Sequence, residues 1–288
     1  MHDTGADVMI RRWLPPRLLM GVLIGVVALY ACAVLGLFLF GRALIYHPDP
    51  AVIALGADDP SAIEDIRIET PDGQTLRAWW MAPEPGEPVF LYFDGNGGRL
   101  HLQGYRFANV AEQGAGMLAV AYRGYAGSTG SPSEAALHAD ARVAYDWLRT
   151  KVDAEHIVIH GFSLGTGVAV RLAAEVPAQA LIMEAPYTAI VDLAAANVRF
   201  VPVRVLMQDR FLSRDWIGKV RTPVLIVHGD ADDVIPIAHA ERMFALAREP
   251  KQFVPVPGGG HSTLVNDGLY DHVWSFLRMA PMEAEDGG

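Results

Sequence analysis

The sequence contains a single cysteine, Cys32, among 288 residues. One cysteine excludes an intrachain disulfide and any metal cluster built from several cysteines, and it leaves the redox compartment open. Basic residues are also scarce, because 23 Lys and Arg stand against 33 Asp and Glu, for a formal net charge of −10. This balance argues against a general nucleic-acid-binding protein, which needs a basic face to replace the counterions of the phosphates.

Sequence motifs for metals and nucleotides are missing as well. There is no H-E-x-x-H zinc motif, no Walker G-x-x-x-x-G-K-[ST] loop, and no G-x-G-x-x-G turn after a predicted strand. A glycine-rich turn does follow an apolar strand at "LYFDGNGGR" (91–99), but it carries an acid, Asp94, where a phosphate cradle attracts negative charge. We therefore expect no cofactor and no bound metal.

Charge is absent from Leu18 to Gly41, a run of 24 residues. As a helix this run would span roughly 36 Å, enough to cross a hydrocarbon core of ~30 Å. Arg11, Arg12 and Arg17 precede it and only Arg42 follows closely. The positive-inside rule therefore predicts a cytoplasmic N-terminus and an extracytoplasmic remainder.

The composition divides the chain into five segments. A cytoplasmic N-terminus (1–17) precedes a transmembrane anchor (18–41), for which a cleaved signal peptide or a lipoprotein site at "LYAC" is the alternative. Residues 42–65 are rich in proline and acids and predict a linker. Residues 66–280 predict one folded domain, and residues 281–288 predict a flexible tail.

Short apolar segments alternate with amphipathic ones throughout residues 66–280. A helix is predicted in "SPSEAALHADARVAYDWLRTK", opened by a capping box with Ser131 at the N-cap and Glu134 at N3. Alternating strands and helices predict βαβ units and a mostly parallel sheet, in which chemistry lies at the carboxyl ends of the strands. The predicted strands include "PVFLYF", "MLAVAY", "HIVIH", "QALIME", "PVLIVH" and "QFVPV".

The segment "HGFSLG" places Ser163 between a strand and a helix, in a G-x-S-x-G pattern with Gly161 and Gly165. This context is typical of a nucleophile elbow, in which small residues permit the sharp turn that exposes the serine. A serine helix cap in a glycine-rich turn would give the same pattern. A serine nucleophile also needs a base, and His261 in "PGGGHS" lies in a loop after the last strand, from which it can reach over the sheet.

A third group has to orient the imidazole and stabilise its positive form. The strand "VLIVH" ends in "GDADDVIP", which offers Asp230, Asp232 and Asp233. Reading the turn as G-x-x-D-x-x-I-P selects Asp232, and the order Ser163, Asp232, His261 is the chain order of the α/β-hydrolases.

The chain as a whole resembles the α/β-hydrolase superfamily and, within it, the membrane-anchored BEM46-like group related to serine aminopeptidase-like (S33-type) hydrolases. The resemblance covers nearly all of residues 42–280 and implies an α/β-hydrolase fold with a small cap. It also implies that Asp232 is the acid of the triad. The matching segments are "RALIYHP", "DGQTLRAWW", "DGNGGR", "AYRGYAGSTGSPSE", "HGFSLGTG", "PVLIVHGDADDVIP" and "GGGHS".

The oxyanion hole of such a site needs two N–H donors. The backbone N–H of Leu164 is the first expected donor, and that of Asn96 is the second. Similar proteins have His-Gly-Asn in this loop, whereas this chain has Asp94-Gly95-Asn96. Packing is the expected role of Arg123 and Tyr125 in "YRGYAGSTG", with substrate contact as the alternative.

Together these features predict a cofactor-free serine hydrolase that cleaves carboxylic esters or thioesters through an acyl-enzyme. Its expected partners are a small acyl substrate, lipid-derived ones included, and the membrane through residues 18–41, with no nucleic acid. Two alternatives stay open: a serine peptidase with the same triad, and a non-catalytic scaffold tethered to the membrane.

Overall fold

The computed structural model describes residues 15–56, 60, 62–198 and 201–279. The predicted cytoplasmic N-terminus up to residue 14, with Arg11 and Arg12, lies outside the described residues, as does the predicted tail 281–288. The chain divides into two units, Met1–Gly41 and Arg42–Gly288.

The first unit consists mainly of the helix α1 (Pro16–Ile45), which extends beyond both ends of the predicted anchor and enters the second unit. The mean hydropathy of an 18-residue window within it reaches 2.7, and the helix is long and apolar enough to span a membrane or to act as a signal anchor. In the second unit, Ile45 and the following Tyr46 are buried. The ring of Tyr46 packs edge-on against Phe211 at 6.5 Å.

The second unit is built on an eight-stranded sheet with the order β1-β2-β4-β3-β5-β6-β7-β8. Strand β2 runs antiparallel to its neighbours β1 and β4, and every other pair is parallel. The strands are β1 (Glu64–Glu69), β2 (Thr75–Met81), β3 (Val89–Phe93), β4 (Gly116–Val120), β5 (Ile157–Phe162), β6 (Ala180–Glu184), β7 (Val224–Gly229) and β8 (Lys251–Val256).

Helices connect the parallel strands, and apolar clusters are buried on both faces of the sheet. Because both faces of the sheet are covered, β3, β4, β6 and β7 are buried along their whole lengths. These strands therefore consist of nearly continuous apolar residues. The helices are α2 (Gly104–Ala111), α3 (Glu134–Leu148), α4 (Leu164–Ala173), α5 (Ile190–Asn197), α6 (Val203–Leu206), α7 (Arg214–Ile217), α8 (Ala238–Leu246) and α9 (Leu269–Met279).

The N-terminus of α3 corrects one prediction. Ser133, not Ser131, is the N-cap, and its side chain accepts a hydrogen bond from the backbone N–H of Ala136. Glu134 is therefore the first residue of the helix, and its carboxylate accepts from the backbone N–H of Arg210 instead of completing a capping box. Sequence spacing alone could not separate the two serines, because both precede the same apolar stripe.

Candidate active site

Ser163 lies in the turn between β5 and α4, with backbone angles φ 49° and ψ −118°. A positive φ is rare for a residue with a side chain, and strained backbone of this kind occurs at nucleophile elbows. Close packing explains both flanking glycines. A Cβ on Gly161 would lie 2.4 Å from the carbonyl oxygen of Gly165, and one on Gly165 would lie 2.0 Å from that of Phe93.

The structure brings together Ser163, His261 and Asp232. The His261 Nε2 atom lies 3.0 Å from Ser163 Oγ, and His261 Nδ1 lies 2.8 Å from Asp232 Oδ2. A carboxylate only accepts hydrogen bonds, so Nδ1–H donates to Asp232 and leaves Nε2 as the acceptor of the Ser163 hydroxyl proton. The three groups come from residues up to 98 positions apart in the chain.

Asp232 is set apart from its two acidic neighbours by its contacts. Its Oδ1 accepts from the backbone N–H groups of Val234 and Ile235, both at 2.8 Å. Burial acts to raise its pKa, but hydrogen bonds from His228 and His261 outweigh burial and hold the pKa well below its usual range. Asp232 thus stays ionised beside the imidazole at neutral pH.

The other two acids of the turn do not contact His261. Asp230 accepts from the backbone N–H of Gly258 at 2.7 Å and so fixes the loop before the histidine. Asp233 is exposed. His228 was not predicted as a site residue, and its buried Nε2 lies 2.8 Å from the carbonyl oxygen of Ile235 and 3.3 Å from Asp232 Oδ2.

The loop after β3 packs against the nucleophile. A Cβ on Gly95 would lie 3.3 Å from the ring of Phe162 and 3.5 Å from Ser163 Cβ. Among the hydrogen bonds of the described residues, the backbone N–H groups of Leu164 and Asn96 donate to no protein acceptor. Two such donors close to a serine can stabilise the oxygen of a tetrahedral intermediate.

Phe162 was not predicted as a site residue, although it directly precedes the serine. Its ring lies against the His261 imidazole, with 5.2 Å between centroids and a tilt of 38°. This contact limits the rotation of the imidazole.

Tyr125 supports the same loop from within the domain. It is fully buried, its hydroxyl donates to the carbonyl oxygen of Asn96 at 2.9 Å, and it accepts from the backbone N–H of His47. A Cβ on Gly98 would lie 2.6 Å from the Tyr125 ring, so a glycine is required for this approach. Substrate contact by Tyr125, the alternative considered from the sequence, is not supported, because both the ring and the hydroxyl contact the loop.

The side chain of Arg123 is likewise buried in the domain. Its guanidinium forms bidentate contacts with Asp140 in α3 and with Asp72 in the β1–β2 turn, at 2.6 to 3.0 Å. Hydrogen bonds from Arg123 lower the pKa of the exposed Asp72 to about 2. Arg123 therefore joins a turn to a helix, and the alternative of substrate contact is not supported.

The short helices α5, α6 and α7 lie between β6 and β7, in the segment to which we assign the small cap that the family resemblance implies. Asp192 of α5 pairs with Arg204 of α6 and with Arg214 of α7, which ties the three helices together. Val198 and Val205 of this segment are exposed apolar residues. In the part of the chain that the structure describes, His, Cys, Asp and Glu form no group of three or more suited to a metal ion.

Comparisons with known proteins agree on the architecture. A family model described as phospholipase/carboxylesterase matches residues 139–278. The uncharacterized protein Rv2307c of Mycobacterium tuberculosis is 36% identical over 82% of this chain and 87% of its own length. The α/β-hydrolase domain-containing protein 17B of Xenopus tropicalis is 30% identical, with 74% of each chain covered.

Solved structures with low identity show the same fold. The esterase Pf2001 of Pyrococcus furiosus has a TM-score of 0.65 at 16% identity, and the match covers 81% of this chain and 97% of that one. Est1E of Butyrivibrio proteoclasticus, solved with ferulic acid bound, has a TM-score of 0.62 at 21% identity, with 74% and 99% covered. The predicted fold is confirmed, and the chain belongs to the α/β-hydrolase superfamily.

Proposed function

We propose that this protein is a serine hydrolase that cleaves carboxylic esters or thioesters through an acyl-enzyme. The observation that carries the proposal is the hydrogen-bonded series Ser163–His261–Asp232, with contacts of 3.0 and 2.8 Å, at a strained turn between β5 and α4. The esterase names of several structural neighbours and the phospholipase/carboxylesterase family description support this class of substrate.

In the first half-reaction Ser163 Oγ attacks the acyl carbon while its proton passes to His261 Nε2. The carbonyl oxygen becomes an oxyanion, which accepts hydrogen bonds from the N–H groups of Leu164 and Asn96. His261 then donates its proton to the leaving alkoxide or thiolate as the bond to the acyl carbon breaks. Asp232 stabilises the imidazolium between these two steps.

Water completes the cycle by the same route. It loses a proton to His261 Nε2 as its oxygen attacks the acyl-enzyme, and the second oxyanion occupies the same two N–H donors. Collapse of this intermediate releases the carboxylic acid and returns the proton to Ser163 Oγ. No cofactor enters either half-reaction.

The cap and the helix α1 favour one class of acyl substrate, an acyl chain from a lipid. A cap with exposed valines, on a chain that carries an apolar helix, suits an acyl chain delivered from a lipid. We further propose that α1 anchors the protein, with the N-terminus in the cytoplasm and the second unit outside it, and that the chain belongs to the BEM46-like group. A peptidase would use the same triad on an amide.

Fluorophosphonate labelling of the purified full-length protein tests the nucleophile. Wild type should label and hydrolyse p-nitrophenyl esters, whereas Ser163→Ala should not label and should lose on the order of 10⁴-fold or more in kcat. Ser275→Ala in α9 is the matched control and should behave as wild type. Equal labelling of Ser163→Ala and wild type would refute the proposal, and faster cleavage of aminoacyl p-nitroanilides than of esters would identify a peptidase.

A further inference from the structure

A buried series of hydrogen bonds leads from the loop after β3 to the strands below the nucleophile. Asp94 Oδ2 accepts from Gln103 Nε2 at 2.8 Å, and Gln103 Oε1 accepts from Arg106 Nε at 3.1 Å. The Arg106 guanidinium donates to both carboxylate oxygens of Glu184, at 2.8 and 3.0 Å. His160 Nε2 lies 3.2 Å from Glu184 Oε2. We call these five residues the polar chain.

Both ends of the polar chain contact the candidate site. At one end, Asp94 Oδ1 accepts from the backbone N–H of Gly95 at 2.7 Å, and Gly95 packs against Ser163. At the other end, the carbonyl oxygen of Glu184 accepts from the backbone N–H of Ser163 at 2.9 Å. The polar chain therefore connects the backbone of the oxyanion loop with the backbone of the nucleophile.

Stability alone gives little reason for charges at these positions. Arg106 and Glu184 are 2% and 1% exposed, and a buried ion pair is often no more stable than apolar residues of similar volume. Burial acts to raise the pKa of Glu184, but Arg106 and His160 outweigh it and lower that pKa to about 2. The guanidinium also lies 4.8 Å from the ring centre of Tyr92 and 5.6 Å from that of Phe162. The guanidinium of the polar chain thus contacts aromatic rings of both β3 and β5.

The direction of the hydrogen bonds explains why residue 94 is an acid. Arg106 can only donate, so Gln103 must present its oxygen to Arg106 and its NH₂ group to Asp94. Asp94 must accept on the other oxygen from Gly95, and Tyr92 Oη also donates there at 3.2 Å. A carboxylate satisfies all three donors. An asparagine would place a second NH₂ group against that of Gln103.

We propose that Asp94 is a positioning residue which, held by Gln103 and Arg106, orients the Gly95–Asn96 backbone so that the Asn96 N–H faces the oxyanion. This inference rests on the proposed hydrolase function. It differs from a purely structural role because the loop acts on the oxyanion of the transition state. Disturbing it should lower kcat while KM stays nearly constant.

The test is a double-mutant cycle on the full-length protein in detergent. Asp94→Asn should lower kcat for an ester about 10- to 100-fold with KM within about threefold of wild type, a smaller loss than the roughly 10²- to 10³-fold that follows removal of a whole oxyanion donor. Asp94→Asn/Gln103→Glu exchanges amide and carboxylate and restores the donor–acceptor pairs among residue 94, residue 103, Gly95 and Arg106, with only the long 3.4 Å bond to the Arg99 carbonyl oxygen lost. The kcat should therefore return to within about threefold of wild type. Asn109→Asp, an amide-to-acid change at a half-buried position of α2 outside the polar chain, is the matched control and should leave kcat unchanged.

Hydrogen–deuterium exchange of a peptide spanning residues 93–103 gives a second readout that needs no activity. Exchange should be faster in Asp94→Asn and should return to the wild-type rate in the double variant. Wild-type kcat in Asp94→Asn, or a double variant no better than the worse single one, would overturn the inference. If wild type itself neither labels nor hydrolyses esters, the proposed function fails, and the exchange rates alone decide whether the polar chain orders the loop.

Discussion

Asp232 forms hydrogen bonds that bear both on the fold and on the proposed reaction. It is a side chain with 0% exposure that accepts hydrogen bonds from two backbone N–H groups and from His261. Those bonds favour the ionised form over the protonated form, so the same contacts that would orient the base also stabilise the fold.

This residue makes the stability of the protein depend on pH. The folded-state pKa of Asp232 is lowered from 3.8, so its contribution is fully present above about pH 4 and is lost as pH falls toward the folded value. Asp232→Asn should therefore reduce stability at pH 7 by about 2 kcal/mol, or roughly 5 °C in Tm. Thermal unfolding of both proteins between pH 7 and pH 3 measures this.

The gap in Tm between wild type and Asp232→Asn should narrow below about pH 4, because the unfolded wild type takes up a proton there and the folded one does not. Asp233→Asn is the matched control, an exposed acid next in sequence, and should unfold as wild type across the range. A gap that stays constant down to pH 3 would contradict the assignment.

At the scale of elements, the packing contact between α4 and β3 positions the serine. Gly165 in the first turn of α4 touches the carbonyl oxygens of Phe93 and Asp94, at the end of β3. The N-terminus of α4 and the end of β3 therefore meet in backbone contacts.

Gly165→Ala should be strongly destabilising, because its Cβ would lie 2.0 Å from Phe93 O and 2.7 Å from Asp94 O, both backbone atoms. We expect a loss of about 3 kcal/mol or more, measured by urea unfolding. Gly97→Ala is the matched control, since nothing lies within 4 Å of a Cβ there. Equal unfolding midpoints for the two variants would show that α4 and β3 can separate enough to accommodate the added methyl group.

The sequence predicted these elements better than their contacts. Each of the six apolar segments coincides with a strand, with both ends within two residues of the strand's ends. For the strands that are buried along their whole lengths, the reason is that a buried parallel strand requires a continuous apolar run. The elbow was found because its glycines, its serine and its preceding strand are neighbours in sequence. The Arg106–Glu184 pair joins residues 78 positions apart, and nothing in the local pattern of either residue indicates the other. In the sequence, Asp94 was notable only because similar proteins have histidine at this place in the loop. Its hydrogen bond with Gln103 is seen only in the folded structure.

At the scale of the whole molecule, the two units differ in composition and in the features that they contain. The described part of the first unit is an apolar helix from Pro16 onward, and the second unit contains the sheet, both apolar clusters and every candidate site residue. Within the second unit, the short stretch from Arg42 to His47 already belongs to the fold. Arg42 pairs with Asp209 at 3.0 Å, and the backbone N–H of His47 donates to Tyr125 Oη at 2.9 Å.

Two truncations should therefore behave differently. Removal of residues 1–41 should release the protein from the membrane fraction and leave ester hydrolysis within about threefold of wild type. Removal of residues 1–47 should also abolish the contacts of Tyr46 and His47, with lower Tm and lower kcat, because Tyr125 then loses a donor while it holds Asn96. Fractionation, thermal unfolding and ester kinetics measure these differences.

Protease added to right-side-out membrane vesicles tests the orientation of the protein in the membrane. The second unit of the full-length protein should be digested from outside if the N-terminus is cytoplasmic. Digestion only after the vesicles are opened would reverse the proposed orientation, and equal activity of the two truncations would show that residues 42–47 are dispensable.

The backbone contacts at the elbow also determine where this protein can acquire new specificity. No side chain fits at Gly161 or Gly165 without displacing main-chain atoms, so single substitutions there remove the fold before they alter a preference. The cap is different, since Val205 is 83% exposed and can change at little cost in stability. In a directed-evolution library, variants with a new acyl preference should collect in residues 190–217, while the serine turn stays invariant.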